Sequence, residues 1–133
     1  MYSNNLIKFK YLDVKLINDK AFDKSEYLII KDQQTFNGLF SINDSTKIDF
    51  SKNIVIAVYD NNPDSRVEIE GVRLNMEKVA HYNQGGILYI SYNIDNESGL
   101  QYSVVVIPDI EFYKVKCFKQ KKSERRQDWR FGD

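Results

Sequence analysis

The stretch Asp49-Phe-Ser-Lys-Asn-Ile-Val-Ile-Ala-Val-Tyr59 decides how the chain is read. A polar lead-in gives way at Ile54 to six residues suited to a strand, with no polar row left over for a solvated face. Such a run fits a strand covered on both faces, or one lying between a sheet and a helix, and it predicts the central strand of a β-rich domain.

Upstream of it stands the one convincing helical signal. Phe36, Leu39 and Phe40 fall at i, i+3 and i+4 and share a face, Asp32 can cap the following amides, and Gly38 weakens the segment, so a helix of two or three turns is expected. Tyr27 to Ile30 reads as a short strand and Asn18 to Ser25 as a loop. Leu6 to Leu16 alternates with period two but changes phase, from Ile7, Phe9 and Tyr11 to Leu12, Val14 and Leu16, which predicts a strand with a β-bulge near Tyr11.

Downstream, Asp60-Asn-Asn-Pro-Asp64 is a turn by its composition. Val67 and Ile69 alternate with Glu68 and Glu70 until Gly71 shifts the phase to Val72 and Leu74, which predicts a bulge or a sharp coil in the strand. Gln84-Gly85-Gly86 predicts a hairpin turn between Val79–Tyr82 and Ile87–Ile94. Asp95 to Gly99 is the next turn, Tyr102 to Ile107 a second continuous apolar strand stopped at Pro108, and Tyr113, Val115 and Cys117 belong to a final strand. Turn signals about every ten residues are the spacing of an antiparallel sandwich or barrel. The expected fold is therefore β-rich α+β, a mostly antiparallel sandwich or partly open barrel of about seven or eight strands, with one short helix near residues 32–40.

Composition agrees and narrows the function. Tyr and Phe together number 17 in 133 residues, a balance that favours strands. The length suits one domain, taken as residues 1–118. Nineteen basic and nineteen acidic side chains cancel, which leaves no field to gather nucleic acid onto the body of the protein. Cys117 is the sole cysteine, so neither a disulfide nor a Cys-rich zinc site can form within the chain. No apolar run reaches the roughly 20 residues of a transmembrane helix. Residues 1–10 lack the apolar centre of a secretory signal, so the chain as it stands reads as soluble and untargeted, which leaves its compartment open: extracytoplasmic if a signal segment was removed, otherwise cytoplasmic.

Residue patterns that could carry chemistry are weak. Asp60, Asn62 and Asp64 match the first three ligand positions of a calcium loop, but Ser65 stands where the sharp turn needs Gly and position twelve is Gly71, so an Asx-type turn is the better reading. His81 is the only histidine and has no HxH or HxxH partner. Cys117 is in phase with Tyr113 and Val115 and reads as a small core residue. Gly85-Gly86 lacks the Lys and Ser/Thr of a phosphate-binding loop. No catalytic, cofactor or metal site is assigned.

Residues 119–133 differ in kind. They hold six basic side chains against three acidic ones, a net of +3 that leaves −3 for residues 1–118. Arg125, Arg126, Trp129 and Arg130 are the candidate partner-binding residues, because Arg and Trp dominate protein interface hot spots. A solvated terminus, or Trp129 folded back onto the sheet, are the competing readings of the same tail.

From Tyr27 to Phe118 the pattern resembles the C-terminal domain family of the protease-complex subunit PrcB: the short strand, the helix Asp32-Gln-Gln-Thr-Phe-Asn-Gly-Leu-Phe40, the Asp49-Phe50 lead into the apolar strand, a strand around Val67–Val72, and a closing strand ending in Ile107-Pro108. The resemblance implies a small β-rich domain of bacterial proteins, often exported or lipoprotein-anchored, that supports or binds a partner without catalysis. It departs from that family after the central strand, where residues 60–66 contain no glycine, so no binding residue is carried over. The expectation is a non-catalytic protein-interaction or accessory domain, possible in a bacterial envelope or protease complex. The alternative is a small intracellular regulator or inhibitor that contacts a protein or nucleic acid through the basic tail.

Overall fold

The computed structural model describes residues 3–43, 47–79, 82–97 and 99–121. Among them the chain forms β1 (Ser3–Leu6), β2 (Lys10–Tyr11), β3 (Val14–Leu16), a single 3₁₀ turn (Asp19–Phe22), β4 (Tyr27–Ile30), α1 (Gln33–Leu39), β5 (Phe40–Ile42), β6 (Asn53–Tyr59), β7 (Arg66–Val79), β8 (Tyr82–Asp95), β9 (Tyr102–Pro108) and β10 (Lys114–Lys121). The fold is a β-rich α+β sandwich with no closed barrel. One sheet has the order β1-β7-β8-β10 and the other β2-β9-β6-β4, while β3 and β5 make a small two-stranded ribbon.

The central-strand expectation holds. Asp49 starts the strand: its carboxylate accepts the Ser51 amide, and its carbonyl accepts the amides of Lys52 and Asn53. β6 then runs antiparallel between β9 and β4, with Ile56 opposite both Val105 and Ile29. Ile54, Ile56 and Val58 point into the space between the two sheets, where they meet Ile69, Leu88, Ile90 and Tyr92. Val55 and Ala57 point the other way, against Phe36, Leu39, Phe40 and Phe22. The protein is therefore three layers deep, and β6 is an interior strand with a core on each side, as is its neighbour β9, whose Val105 and Ile107 face one core and Val104 the other.

The third layer follows from the helix. The Asp32 carboxylate accepts the Thr35 amide at 2.7 Å and the Thr35 hydroxyl at 3.0 Å, which also hold it below the ordinary carboxylate range. Two turns later the helix ends at Phe40, whose amide still bonds to Phe36 while its residue opens β5. Phe36 and Leu39 are thereby fixed over Val55, Ala57 and Val104, and Phe40 pairs with Leu16 in the ribbon.

Two expectations are corrected. Leu6 to Leu16 is not one bulged strand: β1 pairs with β7, β2 with β9 and β3 with β5, so the segment passes through all three sheets. The one phase change, between Tyr11 and Leu12, marks the passage from β2 to β3, while the earlier step from β1 to β2 leaves the alternation in phase. Gln84-Gly85-Gly86 is not the hairpin turn but part of β8, whose pairing with β7 extends to Val79 opposite Tyr82. Between the pairs Met76–Gly86 and Lys78–Asn83 the register shifts, with two residues of β8 facing one of β7, so the glycines sit at a bulge. Gly86 is required there, because a Cβ would lie 2.3 Å from Leu74 Cδ1 and 2.9 Å from Cγ. The bulge expected at Gly71 is present, between Ile69 and Gly71.

Ile56 touches no solvent and packs deep between the sheets. Its replacement by Ala is expected to lower the unfolding free energy by about 2–5 kcal/mol in a urea titration, whereas Gln34→Ala on the exposed face of α1 should change it by no more than about 0.5 kcal/mol.

Candidate functional site

Most residues singled out in the sequence for binding fall outside the described residues. This applies to Arg125, Arg126, Trp129 and Arg130 of the tail and to His81. The part of the tail that is described, Lys119 to Lys121, continues β10 as ordered strand.

The loop after β6 is a turn in every particular. Asn62 Oδ1 accepts the Asp64 amide at 3.0 Å, and the fully buried Ser65 donates its hydroxyl to the Asn62 carbonyl at 2.7 Å and to the Asp60 carboxylate at 2.9 Å. Asp60 is further tied by its carbonyl to the Gln101 side chain and by its amide to the Gln101 carbonyl. The oxygens of Asp60 and Asn62 that would serve a calcium loop are thus engaged in holding β6, β7 and the approach to β9 together. No group of three or more His, Cys, Asp or Glu side chains among the described residues is placed to hold a metal ion.

A polar cleft of about 530 Å³ opens beside this turn, with Asp19, Asp23, Glu26 and Asp60 around it and Tyr59 and Tyr92 in its wall. Tyr59 stacks on Phe22, ring centroids 5.1 Å apart. Burial, reinforced by the carboxylates of Asp19, Asp60 and Asp23, raises its hydroxyl above the ordinary tyrosine range. Tyr92 is buried, donates its hydroxyl to Glu26, and is raised further, first by burial and then by that carboxylate. Both tyrosines therefore stay protonated and act as donors, which ties the cleft wall to the sheet. A second cleft, of about 350 Å³, lies between Tyr11–Val14, the start of β7 and the start of β9. Arg66 at its rim is held by Asp95 at 2.8 Å.

The most distinctive surface is β10. It lies at the end of its sheet and runs parallel to β8, with Val115 beside Leu88 and Cys117 beside Ile90. Val115 and Cys117 pack against the inter-sheet core. On the opposite face Phe118, 46% exposed, stacks on Tyr89 with ring centroids 5.8 Å apart and planes only 8° from parallel. Arg73 Cζ lies 5.4 Å and Lys116 Nζ 6.0 Å from the Tyr89 ring centre, so two cations border one exposed aromatic pair. Lys114, Lys116 and Lys119 are exposed along the strand. Among the described residues no strand pairs with the outer side of β10.

Reading the sequence did not identify this edge. The signal was present, since a strand with lysine at 114, 116, 119 and 121 and no acidic residue is the composition of a protected sheet edge. What the sequence could not show was that β10 would join β8 in parallel, 20 or more residues away, instead of pairing with β9.

No protein-family model matches the chain, and comparisons with curated proteins and with solved structures return no match either.

Cys117 is half-buried, packed against the inter-sheet core. Burial, with the Glu26 carboxylate adding to it, pushes its thiol from 9.0 up to about 12. It should resist Ellman's reagent at about pH 8 in the folded protein and react at once in denaturant. Because the folded state keeps the proton that the unfolded state loses, this thiol leaves stability undiminished below pH 9.0 and reduces it as pH rises from 9.0 toward about 12. A Cys117→Ala variant measured over the same range should lose part of that slope.

Proposed function

We propose that the protein is a non-catalytic protein-interaction or accessory domain that engages its partner through the β10 side of the sandwich. The observation that carries this reading is an eight-residue strand at the end of a four-stranded sheet, with no second strand paired to its outer side among the described residues. A strand edge presents backbone donors and acceptors in a fixed row, and adding a strand to such a row is a common mode of protein recognition. The other sheet ends offer less: β1 and β4 have four residues each and β2 has two.

The side chains around the edge support the same reading. Phe118 and Tyr113 are each about half exposed, at 46% and 50%, and aromatic residues in contact with cations are enriched at interfaces. The strand pattern that resembles the PrcB C-terminal domain family agrees in kind, since that resemblance implies a domain that supports a partner. Membership of a bacterial envelope or protease complex is part of the proposal and rests on the resemblance alone. No helix among the described residues is long and apolar enough to cross a membrane.

The test is site-specific photo-crosslinking in cells of the native organism, with a benzophenone amino acid placed at Phe118 or, on the opposite layer, at Gln34. Discrete protein adducts at position 118 and none at position 34 are expected. Adducts at neither position, or the same adducts at both, would contradict the reading.

A further inference from the structure

We infer that the β10 edge accepts an extended, carboxylate-bearing protein segment as an added strand. The inference rests on the proposed function and adds the chemistry of the partner.

In a parallel pair each strand directs the N–H and C=O groups of alternate residues toward its neighbour and those of the intervening residues away from it. β8 takes one set from β10, along the full register from Lys114–Ile87 to Lys121–Ile94. The other set, over Lys114 to Phe118, forms the row onto which a further strand can bond, and backbone bonding alone makes no choice among sequences.

The choice comes from the side chains. In a paired strand a cross-strand neighbour sits about 4.5–5.5 Å away, close enough for unlike charges to favour the pair and like charges to oppose it. β10 has lysine at four of its eight positions and no acidic residue. A second copy of β10 would set lysines among lysines. Residues 122–133 are a poor match as well, with Lys122, Arg125, Arg126 and Arg130 against Glu124, Asp128 and Asp133. An acidic segment is the complementary occupant, and the lysines that discourage self-pairing are the ones that select it.

The two faces of β10 give the segment a pattern. Carboxylates belong beside Lys114 and Lys116, which share the outer face with Phe118 and the Tyr89 ring. Apolar side chains belong beside Val115 and Cys117, where they would extend the inter-sheet core on its open side. Lys119 falls on the Val115 and Cys117 face, so the pattern runs from Lys114 to Cys117. Over those positions an alternating acidic and apolar segment satisfies both faces together.

The probes are three fluorescein-labelled synthetic peptides: Thr-Glu-Val-Glu-Val-Glu-Thr, the same sequence with Lys for Glu, and the acidic sequence with alternate backbone nitrogens methylated. Fluorescence anisotropy with the full chain should show saturable binding of the acidic peptide, at least tenfold weaker binding of the lysine peptide, and no binding of the methylated one. The double variant K114E/K116E should reverse the preference between acidic and basic peptides. Should that variant fail to fold, raising salt with the unaltered chain should weaken the acidic peptide severalfold, as charge pairing requires. Equal binding of the acidic and lysine peptides, binding that survives methylation, or binding indifferent to salt would overturn the inference. So would displacement of the acidic peptide by a synthetic peptide of residues 122–133, which would assign the edge to the chain's own tail, or light scattering showing a dimer that the peptide dissociates. A discrete crosslink at position 118 to a partner segment without carboxylates would leave the proposed function standing and sink this inference alone.

Discussion

The structure depends on one strand having no face to spare. Ile54 to Val58 is buried residue by residue, with odd and even positions serving different cores. Each large apolar side chain so buried contributes about 1.5–3 kcal/mol relative to exposure, and β6 collects this from two directions at once. A second sheet must therefore cover one face and a further layer the other. The long β7–β8 hairpin meets the first demand, and α1 with the β3–β5 ribbon meets the second. Ala57, the smallest side chain in β6, lies on the face toward the helical layer, where Phe36, Leu39 and Phe40 supply the bulk.

The sandwich is laced on one side and open on the other. On the laced side the chain steps from β1 to β2, from one sheet into the other, with the Ile7 amide bonded to Val72. Nearby, the Tyr11 hydroxyl donates to the Ile69 carbonyl, the Ser103 hydroxyl accepts the Ile69 amide, and the Val67 amide reaches the Leu100 carbonyl. On the other side β10 and β4 end their sheets. On that side the two sheets are linked by contacts such as Tyr92 of β8 with Glu26 and Lys31 over the Phe112 ring, and by the segment 109–113 that crosses from β9 to β10. Three of the sheet ends are short strands, so the accessible backbone is concentrated at β10. A strand edge at β10 is a consequence of how the two sheets close.

Much of this architecture is legible in the residues. The continuous apolar run at Ile54 identified a doubly covered strand, the Asp32 cap and the Phe36, Leu39, Phe40 spacing identified the helix, and the phase change at Gly71 identified a bulge. The failures have physical reasons. A phase change is the same signal whether a strand bulges or crosses to another sheet, so the one at Tyr11–Leu12 does not distinguish a single bulged strand from the step between β2 and β3. A glycine pair marks a turn or a close backbone approach equally well, and at Gly86 the decisive fact is Leu74 on the neighbouring strand. The edge was missed because pairing between β8 and β10 is a long-range choice that alternation cannot encode. The tail signal, carried by Arg125, Arg126, Trp129 and Arg130, is compositional, and those residues lie outside the described residues.

The central claim is that β6 is the innermost strand and β10 the accessible one. Native-state hydrogen exchange resolved by residue measures this directly. The amides of Ile54 to Val58 should exchange only through global unfolding, with the highest protection in the chain, while β10 should contain amides that exchange through small local openings at much lower free energy. Protection in β6 no higher than in β10 would contradict the account, because a strand with a core on each face cannot open before the edge does.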